Sequence, residues 1–247
     1  MVIQIVFRSI YHSVTVKFKT QRHKEHQEFL ISSLCAISDL CVLVVNKSNT
    51  MHSHDKLVQH DITLRSVSPS GESIKLRPMT ENDWDILLKW NSDPEVLYYS
   101  DGNDVTSYNL EEIQDIYRSV SQNAFCFIIE ADNKPIGECW LQKMNLESLL
   151  REYPDLDCRR IDLMIGEKQY WGHGIGTEVI RLLTEFGFQK QCADMIFGCH
   201  IADYNVRSLG AFQKAGYRIY LKEKIGAKAE FIYTVVMSKG EFYIYFV

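Results

Sequence analysis

At 247 residues and 46% hydrophobic, the chain is long enough to hold one large domain, or one domain with an appendage. Its net charge of −5 argues against a general nucleic-acid binder. The charge is uneven: residues 1–72 carry 8 Lys/Arg against 6 Asp/Glu, and residues 73–247 carry 19 against 26. An acidic second part suits a cationic substrate, although mild acidity also serves solubility. The seven cysteines, at 35, 41, 126, 139, 158, 192 and 199, form no CxxC pair and no metal-ligand spacing. That scatter predicts reduced thiols, no metal site and a cytoplasmic setting.

Residues 1–19 alternate in places, with Val14, Val16 and Phe18 on one face of a candidate strand. No signal peptide is evident, because no small-residue cleavage site follows the apolar start. Leu30–Val45 is apolar, but it spans only 16 residues and contains Asp39, which is short and polar for a membrane span. Asn46–Gly71 holds His52, His54 and His60 and ends in Ser68-Pro69-Ser70-Gly71, which reads as a linker. A His-x-His pair without further ligands is usually solvated. Residues 1–72 therefore form an expected accessory segment, and residues 73–247 the folded domain.

Within that domain Ile74–Arg77 reads as a first strand. Thr80 caps a helix through Trp90, with Asp83 in its first turn. Tyr98–Asp104 links it to a second helix, opened by Ser107 or Asn109, with Leu110, Ile113, Ile116 and Tyr117 on one face. Ala124–Ala131 and Pro135–Lys143 are strands around an Asp132-Asn133-Lys134 hairpin turn. Ile161–Ile165 is a central strand and Thr177–Gln189 a helix. Asp194–Cys199 is the next strand. A short helix follows, capped by Asn205 and stopped by Gly216, with Leu209, Phe212 and Ala215 on one face. Tyr217–Lys222 and Ala229–Met237 close the chain as strands.

The run Gln169-Tyr170-Trp171-Gly172-His173-Gly174-Ile175-Gly176-Thr177 joins the central strand to the helix after it. A glycine-dense turn opening a helix presents backbone N–H groups and the positive end of the helix dipole to an anion such as pyrophosphate. A P-loop needs Lys-Ser/Thr after its last glycine, and Gly176 is followed by Thr177-Glu178. A dinucleotide fingerprint needs Gly-x-Gly-x-x-Gly, and the spacing here is Gly-x-Gly-x-Gly.

Gln169-x-x-Gly172-x-Gly174 matches the acetyl-CoA loop of the GNAT acetyltransferases. Asn205 through Lys214-Ala215-Gly216-Tyr217 resembles that superfamily's second motif, about 30 residues downstream. Ile161–Glu167, Tyr170-Trp171, Gly174–Thr177, Leu76–Thr80, Leu88–Trp90, Asp93–Val96 and Lys134–Gly137 further resemble the aminoglycoside 6'-N-acetyltransferases. The resemblance runs from Ile74 to Met237. It implies an α/β (α+β) fold: a mixed, mostly antiparallel sheet, splayed at the acetyl-CoA site, with helices on both faces. It also implies acetyl-CoA as donor to a primary amine of a small cationic substrate, in a monomer or homodimer that engages neither nucleic acid nor membrane.

Carried onto this sequence, the resemblance assigns the cofactor to Met164, Ile165, Gln169, Trp171, Gly172, His173, Gly174, Ile175, Gly176, Thr177, Asn205 and Lys214. Asp162, on the central strand just before the loop, is the candidate base that takes the amine proton. The plainer alternative pairs it with Arg159 or Arg160. Glu138 is the reserve. Tyr98, Tyr99, Asp101, Glu138 and His200 are the candidate substrate residues, and Glu147, Glu152, Asp155 and Asp157 add acidity near Asp162. Two positions depart from the pattern. Phe212 stands where many GNAT enzymes place a tyrosine that protonates the thiolate, and His200 stands where some aminoglycoside enzymes place an aspartate. Rival readings are acetylation of a protein N-terminus or another small amine, and a non-catalytic acyl-CoA-binding module, which Phe212 keeps open.

Overall fold

The computed structural model describes residues 2–3, 56–102, 105–226 and 229–246. The expectations for the candidate strand at 14–18, the apolar run at 30–45 and the pair His52 and His54 lie outside the described residues. The strands are β1 (Val2–Ile3), β2 (Leu64–Val67), β3 (Ser73–Pro78), β4 (Ala124–Ala131), β5 (Lys134–Lys143), β6 (Cys158–Ile165), β7 (Met195–Ala202), β8 (Arg218–Lys224) and β9 (Phe231–Ser238). The helices are α1 (Trp84–Trp90), α2 (Pro94–Ser100), α3 (Leu110–Ser121), α4 (Glu147–Glu152), α5 (Ile175–Glu185), α6 (Val206–Lys214) and α7 (Lys239–Phe246).

The strands form one sheet in the order β2-β3-β4-β5-β6-β7-β9-β8, with β1 paired to β6 off this path. Every pairing is antiparallel except β6 with β7. This is the splayed, mostly antiparallel sheet with helices on both faces that the resemblance implied. The sequence signals for the helix starts hold locally. The Asn109 side chain accepts from Glu112 N at 3.0 Å while Glu112 Oε2 accepts from Asn109 N at 2.8 Å. The β4–β5 turn puts both Asp132 and Asn133 at positive φ, 49° and 62°, which suits a tight hairpin.

Alternation along β6 divides the core. Ile161, Leu163 and Ile165 pack with Val179, Ile180 and Leu183 of α5. Met164 faces the opposite way, into a second cluster with Trp140, Trp84, Leu87, Ile113 and Tyr117 under α1 and α3. Gly137 lets β5 and β6 approach here, since a Cβ would lie 2.1 Å from the Met164 carbonyl oxygen. Cys126 and Cys139 are buried in these clusters, as expected of small core residues.

Three short helices, α2, α4 and α7, were not signalled by periodicity, because each is too short to show a clear one. Residue 72, where the accessory segment was expected to end, falls inside the antiparallel β2–β3 hairpin. The expected linker contributes to the core. Leu57 is 4% exposed in the cluster under α1 and α3. His60 sits edge-on to Phe125 and Phe127 and hydrogen-bonds the Cys126 carbonyl at 2.9 Å. Leu57 N donates to Glu81 Oε1 at 3.1 Å, and Val58 N to Ser121 Oγ at 3.0 Å. Leu57→Ala should therefore lower the unfolding free energy by about 2–5 kcal/mol in urea titration. A loss of less than about 0.5 kcal/mol, the size of an ordinary surface change, would show that the segment lies loosely on the domain.

Candidate active site

The site begins where β6 and β7 part. They pair in parallel only over Cys158↔Met195, Arg159↔Ile196 and Arg160↔Phe197. Beyond that, β7 turns away to β9 through an irregularity between Gly198 and Ile201. His200 lies in that irregularity with φ 55°, a left-handed conformation costly for a residue with a Cβ. β1 pairs with Leu163 and Met164 on the edge that β7 vacates.

The loop after β6 is pinned at its start. Gly166 lies under Trp90, whose ring would be 2.1 Å from a Cβ there. Trp90 Nε1 donates to Glu167 Oε1 at 2.9 Å, and Lys89 pairs with the same carboxylate. Trp171 Nε1 reaches back to the Ile165 carbonyl at 2.7 Å. Gly172 and Gly174 then take φ 86° and 78°, which only glycine adopts without strain, and α5 opens at Ile175. The loop, the first turn of α5 and one face of α6 enclose a cleft of about 180 Å³.

Of the residues assigned to the cofactor from sequence, Ile165, Trp171, Gly172, Gly174, Ile175, Gly176, Thr177 and Lys214 line this cleft. Four do not. Met164 faces the opposite side of the sheet. Gln169 is exposed and bonds Glu167 instead. His173 turns its ring out of the loop to Glu72, with Nδ1 2.7 Å from Oε1. Asn205 caps α6 through Ser208 N at 3.2 Å and donates to the Tyr99 carbonyl at 3.0 Å. Sequence reasoning missed Tyr170, Val206, Arg207, Gly210 and Ala211. The last four share the cleft face of α6 with Lys214, and the small pair Gly210-Ala211 on that face was the available signal. The fit to a slender phosphate-bearing group is good. Nothing lies within 4 Å of a Cβ added at Gly172 or Gly210, and the N-terminus of α5 points its donors here.

None of the candidate base and substrate residues lines this cleft. Asp162 is 1% exposed and realises the pairing with Arg160 that the sequence left open. Arg160 Nε donates to Oδ2 at 2.7 Å, Arg160 Nη2 to Oδ1 at 2.5 Å, and Trp140 Nε1 to Oδ2 at 3.0 Å. Both oxygens are thus already engaged by donors. Glu138, also 1% exposed, projects from the same face of the sheet one strand away, and its Oε1 accepts from Tyr117 OH at 3.1 Å. Asn91 Nδ2 donates to that hydroxyl at 3.2 Å. Asp101, 2% exposed, accepts from Ser100 Oγ at 2.7 Å. Burial first, and then Arg160, push His200 down to about 4, so its ring is neutral at pH 7, and its buried Nδ1 makes no hydrogen bond.

The two halves are tied together. Arg207 lies over both the Tyr99 and Trp171 rings, 4.4 Å and 4.2 Å from their centroids. Tyr98 stacks on Tyr204 at 4.8 Å. These tyrosines, expected on the substrate, pack against Arg207, Trp171 and Tyr204. Phe212 is fully buried, its Cζ 2.5 Å from where a Cβ at Gly198 would sit, and it packs in the core. Of the acidic loop residues, Glu147 pairs with Arg151 and Asp157 with Arg159. Cys199 is buried, which pushes its thiol up to about 12 and excludes a ready thiolate nucleophile there.

The chain belongs to the GNAT acetyltransferases: the acetyltransferase (GNAT) domain matches residues 73–218. The family's acyl donor is acetyl-CoA. An uncharacterised protein of Methanocaldococcus jannaschii is 28% identical over 171 residues, covering 67% of this chain. The chain spans about a third, 32%, of that protein's length. The aminoglycoside N(6')-acetyltransferase type 1 of Klebsiella pneumoniae is 24% identical, with 61% of this chain and 77% of the enzyme covered. Among solved structures, aminoglycoside acetyltransferase AAC(6')-Ib with coenzyme A superposes with a TM-score of 0.60 at 21% identity, over 70% of this chain and 99% of the other. RimJ of Mycobacterium smegmatis with CoA-disulfide gives 0.58 at 14% identity, over 74% and 94%. At these identities the structures establish the shared fold. Among the described residues no three His, Cys, Asp or Glu side chains gather to hold a metal, and no helix is long and apolar enough to cross a membrane.

Two outcomes follow from the buried groups. Asp162→Asn should cost about 3–5 kcal/mol in urea unfolding, because it leaves Arg160 buried without its partner. Arg160→Met combined with Asp162→Leu should recover most of that loss; if Asp162→Asn is as stable as wild type, the pair does not form. For His200, the unfolded ring takes a proton near its ordinary value of 6.5, while the folded ring resists until about 4. Stability should therefore be intact above pH 6.5 and fall by up to about 3 kcal/mol as pH drops to 4. His200→Asn, which tolerates the left-handed backbone, should show a shallower decline over that window in thermal melts.

Proposed function

We propose that the chain transfers acetyl from acetyl-CoA to a primary amine of a small polycationic acceptor of the aminoglycoside 6' type. The observation that carries this reading is the burial of two carboxyls that lie outside the cofactor cleft, Glu138 on β5 and Asp101 at the end of α2. Buried acids favour a cationic ligand over an anionic one, and the acidic domain draws one in. The kinship with aminoglycoside acetyltransferases supports the same choice.

Bound acetyl-CoA supplies an activated thioester. Backbone N–H groups from Gly172 to Gly176 and the start of α5 hold its phosphates. Gly210 and Ala211 keep α6 far enough from the loop to admit its arm. Arg207, stacked on Tyr99 and Trp171, holds α2 and the loop in one register, which fixes where acceptor and thioester meet. Glu138 takes the ammonium proton, with Tyr117 orienting its carboxylate. Asp162, committed to Arg160 and Trp140, shapes the floor of the acceptor space rather than moving the proton. Phe212, buried in the core, offers no proton to the departing thiolate, so water or a backbone N–H serves it.

The test is thiol release from acetyl-CoA across aminoglycosides, linear polyamines and peptides. Aminoglycosides bearing a 6'-amine should react, and their 6'-hydroxyl analogues should not; preference for peptides would move the assignment to protein N-termini. On the best amine, Glu138→Gln should lower kcat/KM roughly 10²-fold or more with acetyl-CoA affinity unchanged. Wild-type turnover in that variant would remove Glu138 from the proton path.

A further inference from the structure

The pyrophosphate loop is gripped from outside the matched domain. Residues 64–72 precede the family match, which starts at residue 73. Yet the turn joining β2 to β3 lies directly against the loop. Ser70 Oγ donates to the His173 carbonyl at 3.1 Å, and Glu72 Oε1 meets His173 Nδ1 at 2.7 Å. A Cβ at Gly174 would lie 3.0 Å from Pro69 Cγ, so the proline ring sits against the glycine backbone. One strand residue back, Ser66 Oγ donates to Glu178 Oε1 in the first turn of α5 at 2.5 Å. The hairpin thus touches the loop at consecutive residues and the helix that follows it.

The turn is itself rigid. Ser68 N donates to the Glu72 carbonyl at 2.9 Å, Gly71 N to the Ser68 carbonyl at 2.9 Å, and Glu72 N to Ser68 Oγ at 3.1 Å. The Ser68 hydroxyl bonds the Glu72 carboxylate and, with His173, holds that carboxyl below its ordinary range. Glu72 is therefore an anion across neutral pH, aimed at the loop through an oriented hydrogen bond.

A loop with two glycines at positive φ is intrinsically loose, and ordering it on each binding event costs conformational entropy. Interactions that order it beforehand lower that cost and tighten binding. Trp171 and Glu167 hold its start, but they lie before Gly172. The contacts at His173 and Gly174 come from the hairpin.

We propose that the β2–β3 hairpin is a brace that presets the pyrophosphate loop, with Glu72 and Ser70 as positioning residues for acetyl-CoA. The proposal rests on the reading that residues 172–177 receive the phosphates. His173 then acts through its backbone and its bond to Glu72 rather than by touching the cofactor.

The experiment uses the full chain carrying Glu72→Gln, Ser70→Ala and both, with acetyl-CoA titrated by calorimetry and steady-state kinetics on one amine. The double variant should bind acetyl-CoA about 10-fold more weakly, from the loss of one charge-assisted and one neutral hydrogen bond. Its KM for acetyl-CoA should rise in step, while kcat at saturating acetyl-CoA and KM for the amine stay within about twofold, the pattern of lost uniform binding. The brace is overturned if wild type and double variant bind equally. It is equally overturned if affinity, kcat, amine KM and the urea midpoint all worsen together, which would mean a general structural role. Absence of acetyl-CoA binding by wild type would overturn the phosphate placement itself, and the brace with it.

Discussion

Everything in the site follows from β6 and β7 pairing for three residues and then separating. A parallel pair that ended by continuing flat would bury its edges and leave no opening. Here β7 is drawn off by its long antiparallel pairing with β9, and the irregularity at Gly198–Ile201 takes up the change of direction. The Arg160–Asp162 pair sits where the paired stretch ends, with Trp140 on one side and His200 near the guanidinium on the other. An ionic pair is thus buried at the end of the paired stretch. Such a pair is weak as a net stabiliser but costly to break, so it specifies the geometry of the fork more than it strengthens the fold.

The fork alone would be two disconnected half-sites. The clasp of Arg207 with Tyr99 and Trp171, and the bond from Asn205 to the Tyr99 carbonyl, join α2 to the glycine loop and to α6. Each contact is small, and cation–π stacking is worth about 0.5–2 kcal/mol. Their value is positional. Because α2 is only two turns long, it has little stability of its own and takes its orientation from these partners.

The acidity of the domain divides into two kinds. Glu147 and Asp157 are paired with arginines at or near the surface, where solvent screens them and little energy is gained. Glu138 and Asp101 are buried and hydrogen-bonded, so their carboxyls are held in place. Composition weighs both kinds equally. Only burial separates a solvated charge from one held fixed inside the domain.

The glycine loop, the Asn205 cap, the hairpin turn and the strands from Ser73 on were legible in the residues because each is a local rule: positive φ demands glycine or Asn/Asp, a cap demands a short polar side chain, and a period of two marks a strand. Eight of the twelve residues assigned to the cofactor line the cleft for the same reason, since a loop and the helix it opens are contiguous in sequence. Side-chain direction was not legible. His173 lies in the middle of the loop yet faces Glu72, a hundred residues earlier in sequence, and Asp162 faces Arg160 rather than an open cleft. The segment from Leu57 to Gly71 lacked any periodic signal because its strand is four residues long and its buried side chains are few, so it read as a linker. Local physics determined which elements form and where the anion-binding turn lies. Which carboxylate is committed to an ion pair, and which hairpin braces the loop, depends on contacts between distant parts of the chain, and only the packed sheet brings those together.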